Sequence, residues 1–276
     1  MFNVLNTQLY RLKKSKLFWS LFIVCAALPF LGALLITAVT AILENNLSGE
    51  SAELLAEIIG QNGERTLSAM GTLASISSDA ALFSLICSGI FLSGEFSGGA
   101  IRNMVLANKT RTQIFLSFLS VSLLIGFSYL GVSYVSTLLF YGAFLGFGGV
   151  TVSAAISSCF SSLFLGILAI ALVQSLVCLF VFGTRKTGPT IAFPILFIIF
   201  VPSIISFIAE LILSVKLISG QEVSEAALSW IPISNINLFN ANNVDGALIG
   251  KIALYNVPIA AIFATFSWVA SKKDLK

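Results

Sequence analysis

The residues of this sequence best suited to contact a soluble partner fall in one short polar stretch between long apolar segments. A carboxylate and three bases in this stretch can form ion pairs with a partner, and two adjacent glycines permit a sharp turn. The alternative interpretation is that the bases only anchor the chain at a membrane surface. The six residues are Glu95, Gly98, Gly99, Arg102, Lys109 and Arg111.

The surrounding composition predicts that lipid, not water, is the solvent of this chain. Hydrophobic residues make up 57% of the 276 residues and charged residues only 10%, against about 25% charged in soluble domains. No charged residue occurs in 20–43 or in 112–184. We therefore expect an all-α, polytopic membrane protein with a single transmembrane domain over residues 1–276.

Several kinds of chemistry are excluded by the residues that are missing. The chain has no histidine, which rules out a Ser-His-Asp triad and a histidine-ligated zinc. Its nearest approach to a phosphate-binding loop, residues 246–252, is one residue short and lacks the hydroxyl that would hold magnesium. We expect no catalytic residue, no metal and no cofactor bound by this chain. The four cysteines stand alone in apolar runs and are interpreted as small buried hydrophobes; they are Cys25, Cys87, Cys159 and Cys178.

Segments of about 20 apolar residues cross a bilayer, and six such segments are predicted. The first apolar run shows no cleavage pattern and is interpreted as a spanning helix rather than a cleaved signal. The charge-free run after Thr112 is divided into two spans that turn at Gly142, Gly146, Gly148 and Gly149. The predicted spans are 17–43, 73–94, 114–141, 154–182, 190–213 and 252–270.

The distribution of bases predicts which side of the membrane each loop faces. Six spans put both termini on one side, together with the loops after spans two and four. Those segments hold 12 of the 15 bases, so the positive-inside rule makes both termini cytoplasmic. The 12 are Arg11, Lys13, Lys14, Lys16, Arg102, Lys109, Arg111, Arg185, Lys186, Lys272, Lys273 and Lys276.

Three segments outside the spans have predicted roles. Residues 1–16 place Phe2, Leu5, Leu9 and Leu12 on one face, which predicts an interfacial amphipathic helix; a merely basic flank is the alternative. Residues 95–113 form the cytoplasmic loop, and residues 44–72 and 216–251 form outer loops. Short helices are expected over 51–59 and 222–228 in those outer loops.

Charged residues within the predicted spans are few, and the polar groups there each have two interpretations. Asp79 and Glu210 lie near the outer ends of their spans, where they either reach headgroups and water or line an outer vestibule. Gln174 and hydroxyls are the only polar groups near mid-membrane, which argues against an ion-coupled carrier. The frequent serines, with Gly126, Gly131 and Gly166, favour close helix packing over a weakly polar path.

The stretch from Glu95 to Gln113, together with six spans, resembles the membrane subunits of ABC-2 type ABC transporters. In that family the second span ends in Glu, followed by a small or glycine-rich step, a base, and a short helix with a further base. The corresponding residues here are Glu95, Gly98-Gly99, Arg102 and Lys109-Thr110-Arg111. The family's Gly-Thr and Pro-x-Ser-Arg steps are replaced here, so the match is partial.

The resemblance implies an exporter subunit whose 95–113 loop docks on a separate ATPase. Two ATPase copies, which bind the ATP and magnesium, would drive two permease copies between inward-facing and outward-facing states, as a homodimer or heterodimer. Amphipathic or antimicrobial peptides, phenol-soluble modulins among them, are the implied cargo, a bacterial plasma membrane is the expected location, lipid is a further partner and nucleic acid is not. Two rival functions stay open: an ATP-independent carrier or channel, and an immunity-type protein that sequesters a peptide.

Overall fold

A computed structural model describes residues 2–46, 69–106, 110–146, 152–218 and 246–272. Over these ranges the chain is helical and contains no strand. Helices are expected in lipid because every backbone N–H and C=O is then satisfied within its own segment. The helices are α1 Phe2–Lys14, α2 Lys16–Asn46, α3 Ala69–Ser97, α4 Ala100–Leu106, α5 Arg111–Phe144, α6 Val152–Thr184, α7 Thr187–Ile218 and α8 Gly246–Lys272.

Five of these helices are long and apolar enough to cross a membrane, which makes the chain a membrane-embedded helical protein. In the sixth, α7, the qualifying apolar segment is shorter and covers Thr187–Phe200. Most side chains of α7 beyond Phe200 lie outside the description, so six spans stay a prediction. The five candidate segments are Lys16–Ala38, Asp79–Ser97, Arg111–Phe144, Ala155–Thr184 and Ile249–Lys272.

The core of the bundle lies where α3, α5 and α6 meet. Their apolar segments are more than half buried, whereas those of α2 and α8 are 11% and 17% buried. Phe118 and Ile125 of α5 are fully buried there, and Ser84 of α3 accepts a 2.9 Å hydrogen bond from Gln174 of α6. The surrounding helices α2, α7 and α8 leave large apolar side chains exposed, as expected of a surface that faces lipid.

Consecutive membrane helices run in alternating directions. Helices α3 and α5 are antiparallel. Helix α6 runs parallel to α3, and α8 runs parallel to α6. Helix α2 runs parallel to α5, and α7 runs antiparallel to α6. The contacts that fix these directions are Phe96 with Phe118 and Phe182, Ser84 with Gln174, Ser122 with Cys178, Phe18 with Tyr129, Phe30 with Phe140, Phe180 with Phe193, Thr184 with Thr190, Arg111 with Lys272, and Ile252 with the cluster that contains Tyr134 and Leu165.

This alternation gathers the basic segments at one end of the bundle, which we call the basic end. The basic end comprises the end of α1, the start of α2, the α3–α5 connection, the α6–α7 turn and the end of α8. Lys272 at the end of α8 accepts a hydrogen bond on its carbonyl from the guanidinium of Arg111 at the start of α5. The segregation of bases found in the sequence therefore corresponds to an end of the folded molecule.

Close helix approach is confirmed at two of the three predicted glycines. A Cβ on Gly126 would lie 2.3 Å from Ile170 of α6, and one on Gly166 would lie 2.9 Å from Leu130 of α5. The prediction was wrong for Gly131, whose added Cβ would meet no atom within 4 Å. The predicted turn at Gly142 was wrong: Gly142 lies within α5, which continues to Phe144. The chain turns at Gly146, whose φ is 74°.

Hydroxyl groups contribute less to helix association than the serine count suggested. Most of them donate to a carbonyl three or four residues earlier in their own helix, as Ser93 does to Gly89. Bonds between helices join Ser84 to Gln174, Ser122 to Cys178 and Tyr134 to Ser162. The cysteine interpretation is confirmed: all four are free thiols, and all but the intermediate Cys159 are buried.

Candidate functional site at the α3–α5 connection

The connection between α3 and α5 begins with a glycine turn. Gly98 donates its backbone N–H to the Gly94 carbonyl at 2.8 Å, which ends α3. Gly99 follows with a φ of 71°, a left-handed conformation that glycine adopts without the strain of a Cβ. The two predicted glycines thus form the turn that redirects the chain into α4.

Helix α4 has one face on the bundle and one face open. Ile101 is 6% exposed and packs on the core together with Met104. Val105, four residues after Ile101, is 39% exposed. Leu106 is 76% exposed and Asn103 is also exposed, and both lie on the side of α4 away from Ile101. The result is a short, anchored helix that presents apolar side chains at the basic end.

Glu95 has a partner within the chain. Its carboxylate accepts a 2.8 Å bond from the guanidinium of Arg11 on α1, and its side chain is only 9% exposed, against 48% for Arg11. This ion pair ties α1 to the last turn of α3, one turn before the glycine turn. The structure therefore gives Glu95 a positioning role for the connection rather than an open surface for a partner.

Sequence reasoning missed Arg11 as the partner of Glu95. The signal was available: Glu95 is the only acid among the basic segments apart from Asp274, and an acid at a buried helix end needs a base. Which of the twelve candidate bases pairs with Glu95 could not be predicted from the sequence, because the pairing depends on how α1 packs. Leu5, Leu9 and Leu12, predicted to form the apolar face of an interfacial helix, pack against the core, so the bundle occupies that face of α1.

Arg111 lies at the start of α5, next to a capping box. The Thr110 hydroxyl accepts from the Gln113 backbone N–H at 3.3 Å, and the Gln113 side chain accepts from the Thr110 N–H at 3.4 Å. Thr-x-x-Gln before an apolar run is the sequence signal of such a cap, and sequence reasoning overlooked it. Arg111 itself is exposed and donates to the Lys272 carbonyl.

Two predicted members of this site cannot be located in space. Arg102 belongs to α4, but its side chain is outside the description, and Lys109 falls in 107–109, which is outside the described residues. The described members that come together at the connection are thus Glu95, Gly98, Gly99 and Arg111.

The predicted vestibule residues lie far from this site. Asp79 is exposed on α3, sixteen residues or about 24 Å along the helix from Glu95. Tyr141 of α5 and Cys25 of α2 are its electrostatic neighbours. Glu210 is part of α7, but its side chain is outside the description, as are the predicted outer helices 51–59 and 222–228.

The described ranges contain no group of three or more His, Cys, Asp and Glu side chains that could hold a metal ion. Comparison with protein-family models, with curated proteins and with solved structures gave no match.

Proposed function

We propose that the chain is the membrane-spanning subunit of an ATP-driven exporter, with six spans, cytoplasmic termini and a separate ATPase docked on the 95–113 loop. The observation that carries the proposal is α4: a short helix pinned to the bundle by Ile101, with Val105 and Leu106 exposed at the basic end. A mechanical connection to a motor needs both properties, because a loosely held helix would move without moving the spans.

Three contacts around α4 suit such a connection. The Gly98-Gly99 turn joins it to α3, and the Arg11–Glu95 ion pair holds that end of α3 against α1. Helix α5 begins at Arg111, after residues 107–109, which lie outside the description. A push on α4 would therefore reach both α3 and α5, which form the core with α6. The bases at this end can pair with acidic groups on the ATPase.

The energy source follows from what the chain lacks. Its sequence contains no complete phosphate-binding loop. Charged residues are absent from 112–184 and 20–43, so an ion gradient has no acid to act on in these spans. Two such subunits with two ATPases would carry an amphipathic or antimicrobial peptide outward across a bacterial plasma membrane.

Co-purification with ATP hydrolysis as the readout tests this proposal. The full chain is extracted from its native membrane and assayed for a bound ATPase. We expect Leu106→Glu to lower the retained ATP hydrolysis at least ten-fold, because a buried unpaired carboxylate opposes docking. Thr187→Glu is the matched control, since Thr187 is an exposed first residue of α7 at the same end.

Retention of full ATPase by Leu106→Glu, or its absence from the unaltered chain, would refute the docking role of α4. Vesicles that contain only the purified chain separate the rival classes. Movement of a peptide across them without ATP would indicate a carrier or channel, and tight peptide binding without movement would indicate sequestration.

A further inference from the structure

An apolar groove runs between α2 and α5 on the outside of the bundle. It encloses about 790 Å³ and is lined by side chains that carry no charge. Gly131 and Ala27 are among its smallest lining residues, and Ile23, Val135 and Leu139 are 64%, 58% and 63% exposed. The groove is therefore open toward the surrounding bilayer.

The helix register connects this groove to the basic end. Lys16 starts α2, and Ile23 and Ala27 follow after seven and four residues, spacings that place all three on one helix face. Phe30 continues the same face. A molecule lying in the groove thus points toward Lys16.

The α1–α2 junction precedes the first groove residue, Ile23, by about two turns of α2. Trp19 lies on α2 between Lys16 and Ile23, and its indole N–H donates to the Lys13 carbonyl at 2.9 Å. This bond folds the end of α1 back against the start of α2. Lys13, Lys14 and Lys16 are all exposed there, and the first acid of the sequence is Glu44, some thirty residues away.

We propose that this groove is a binding site for an anionic phospholipid, with its phosphate at Lys13, Lys14 and Lys16 and one acyl chain along Ile23 to Ala27. Clustered lysines attract anionic headgroups. The acid near this cluster, Glu95, is paired with Arg11, and within the described residues none of the three lysines forms an ion pair, which favours an anionic lipid over a zwitterionic one. Arg11 is not part of the cluster, since it is paired with Glu95.

Along α2 the distances agree with this assignment. Along α2, Ile23 lies about 10 Å and Ala27 about 16 Å from Lys16 at 1.5 Å per residue. One leaflet of a hydrocarbon core of about 30 Å is about 15 Å deep. An acyl chain with its headgroup at Lys16 therefore covers this part of the groove. The proposal requires membrane embedding but is independent of the exporter function.

Quenching of Trp19 fluorescence by lipids with brominated acyl chains tests the site. The full chain, with Trp230 and Trp268 changed to Phe, is reconstituted in phosphatidylcholine vesicles. Brominated phosphatidylglycerol or brominated phosphatidylcholine is then added as a minor component. We expect brominated phosphatidylglycerol to reach half-maximal quenching at a mole fraction at least about ten-fold lower than brominated phosphatidylcholine does. The reason is that each lysine near a membrane surface raises the affinity for an anionic lipid about five-fold.

Two kinds of variant separate a groove from general surface attraction. Lys13→Gln/Lys14→Gln/Lys16→Gln should abolish the preference, whereas Lys186→Gln, an exposed base at the same end, should keep it. Should the triple variant fail to fold, Lys16→Gln alone should weaken the preference about five-fold. Ala27→Phe fills the groove and should weaken the preference at least three-fold, whereas Ala38→Phe, exposed on α2 beyond the groove, should not.

Three results would overturn the site. The unaltered chain could show no preference for the anionic lipid, or Ala27→Phe could retain the full preference, which would reduce the effect to surface charge. Neither brominated lipid could quench Trp19 fluorescence while Val135→Cys forms a disulfide with the same position of a second copy. That result would assign the groove to a second copy of the chain.

Discussion

At the scale of single residues, the Arg11–Glu95 ion pair is the feature on which the end of α3 depends. The two side chains are unequally exposed, at 48% and 9%. Removing Arg11 leaves the Glu95 carboxylate buried and unpaired, whereas neutralising Glu95 leaves the Arg11 guanidinium where water can solvate it. The pair should therefore respond asymmetrically to substitution.

We expect Arg11→Ala to lower the free energy of unfolding by about 1–3 kcal/mol, and Glu95→Gln to lower it by less than about 1 kcal/mol. The double variant should be more stable than Arg11→Ala alone, because it holds no buried unpaired charge. Denaturation of the purified protein in detergent, followed through a double-mutant cycle, measures these differences. Lys186→Ala serves as the control for loss of an exposed base at the same end. Equal costs for the two single substitutions would show that the carboxylate is solvated.

At the scale of helices, two glycines of α5 that lie five residues apart have different surroundings. Gly126 lies against α6, where an added Cβ would be 2.3 Å from Ile170 and 3.2 Å from Gln174. Gly131 faces the groove and has no neighbour within 4 Å of an added Cβ. The same substitution at these two positions separates helix contact from helix propensity.

We expect Gly126→Ala to destabilise the protein by about 1–3 kcal/mol, because the methyl group forces α5 and α6 apart. Gly131→Ala should be neutral or stabilising by up to about 1 kcal/mol, since alanine is the better helix former. Unfolding in detergent measures both variants under identical conditions. A destabilisation of similar size at Gly131 would show that the cost at Gly126 does not come from its contact with α6.

This pair of glycines also shows where prediction from the sequence ends. Long charge-free runs predict helices because lipid forces the backbone to bond to itself, and every predicted span overlaps an observed helix. Which face of α5 contacts α6 is not encoded in the same way. In lipid both faces of a helix can be apolar, so Gly126 and Gly131 look alike in the sequence although only one is packed.

The candidate site was predictable to a similar depth. The residue type of Gly98 and Gly99 predicted the turn, and Thr110 with Gln113 matched the sequence pattern of a capping box. The partner of Glu95 and the groove above Lys16 both depend on how α1 and α2 pack on the bundle. Local sequence carries no record of such packing.

At the scale of the whole molecule, one contact links the end of the chain to its middle. Arg111 at the start of α5 donates to the carbonyl of Lys272 at the end of α8, and the Lys272 ammonium lies 3.4 Å from the centre of the Trp268 ring. With helix directions alternating, this contact requires α7, Thr187–Ile218, to traverse the bundle. Otherwise α8 would end at the opposite face.

We therefore expect Lys14→Cys, Asn103→Cys and Lys272→Cys to react with a membrane-impermeant maleimide from one side only, and Phe144→Cys and Gly250→Cys from the other. All five positions are exposed, and the four native cysteines are replaced by alanine to remove background. Intact cells should label the last two positions, and inverted vesicles the first three, because the basic end is expected to be cytoplasmic. If α7 fails to cross, Lys272 and Gly250 exchange sides while the other three positions stay unchanged. That single outcome would disprove both the six-span topology and the Arg111–Lys272 contact.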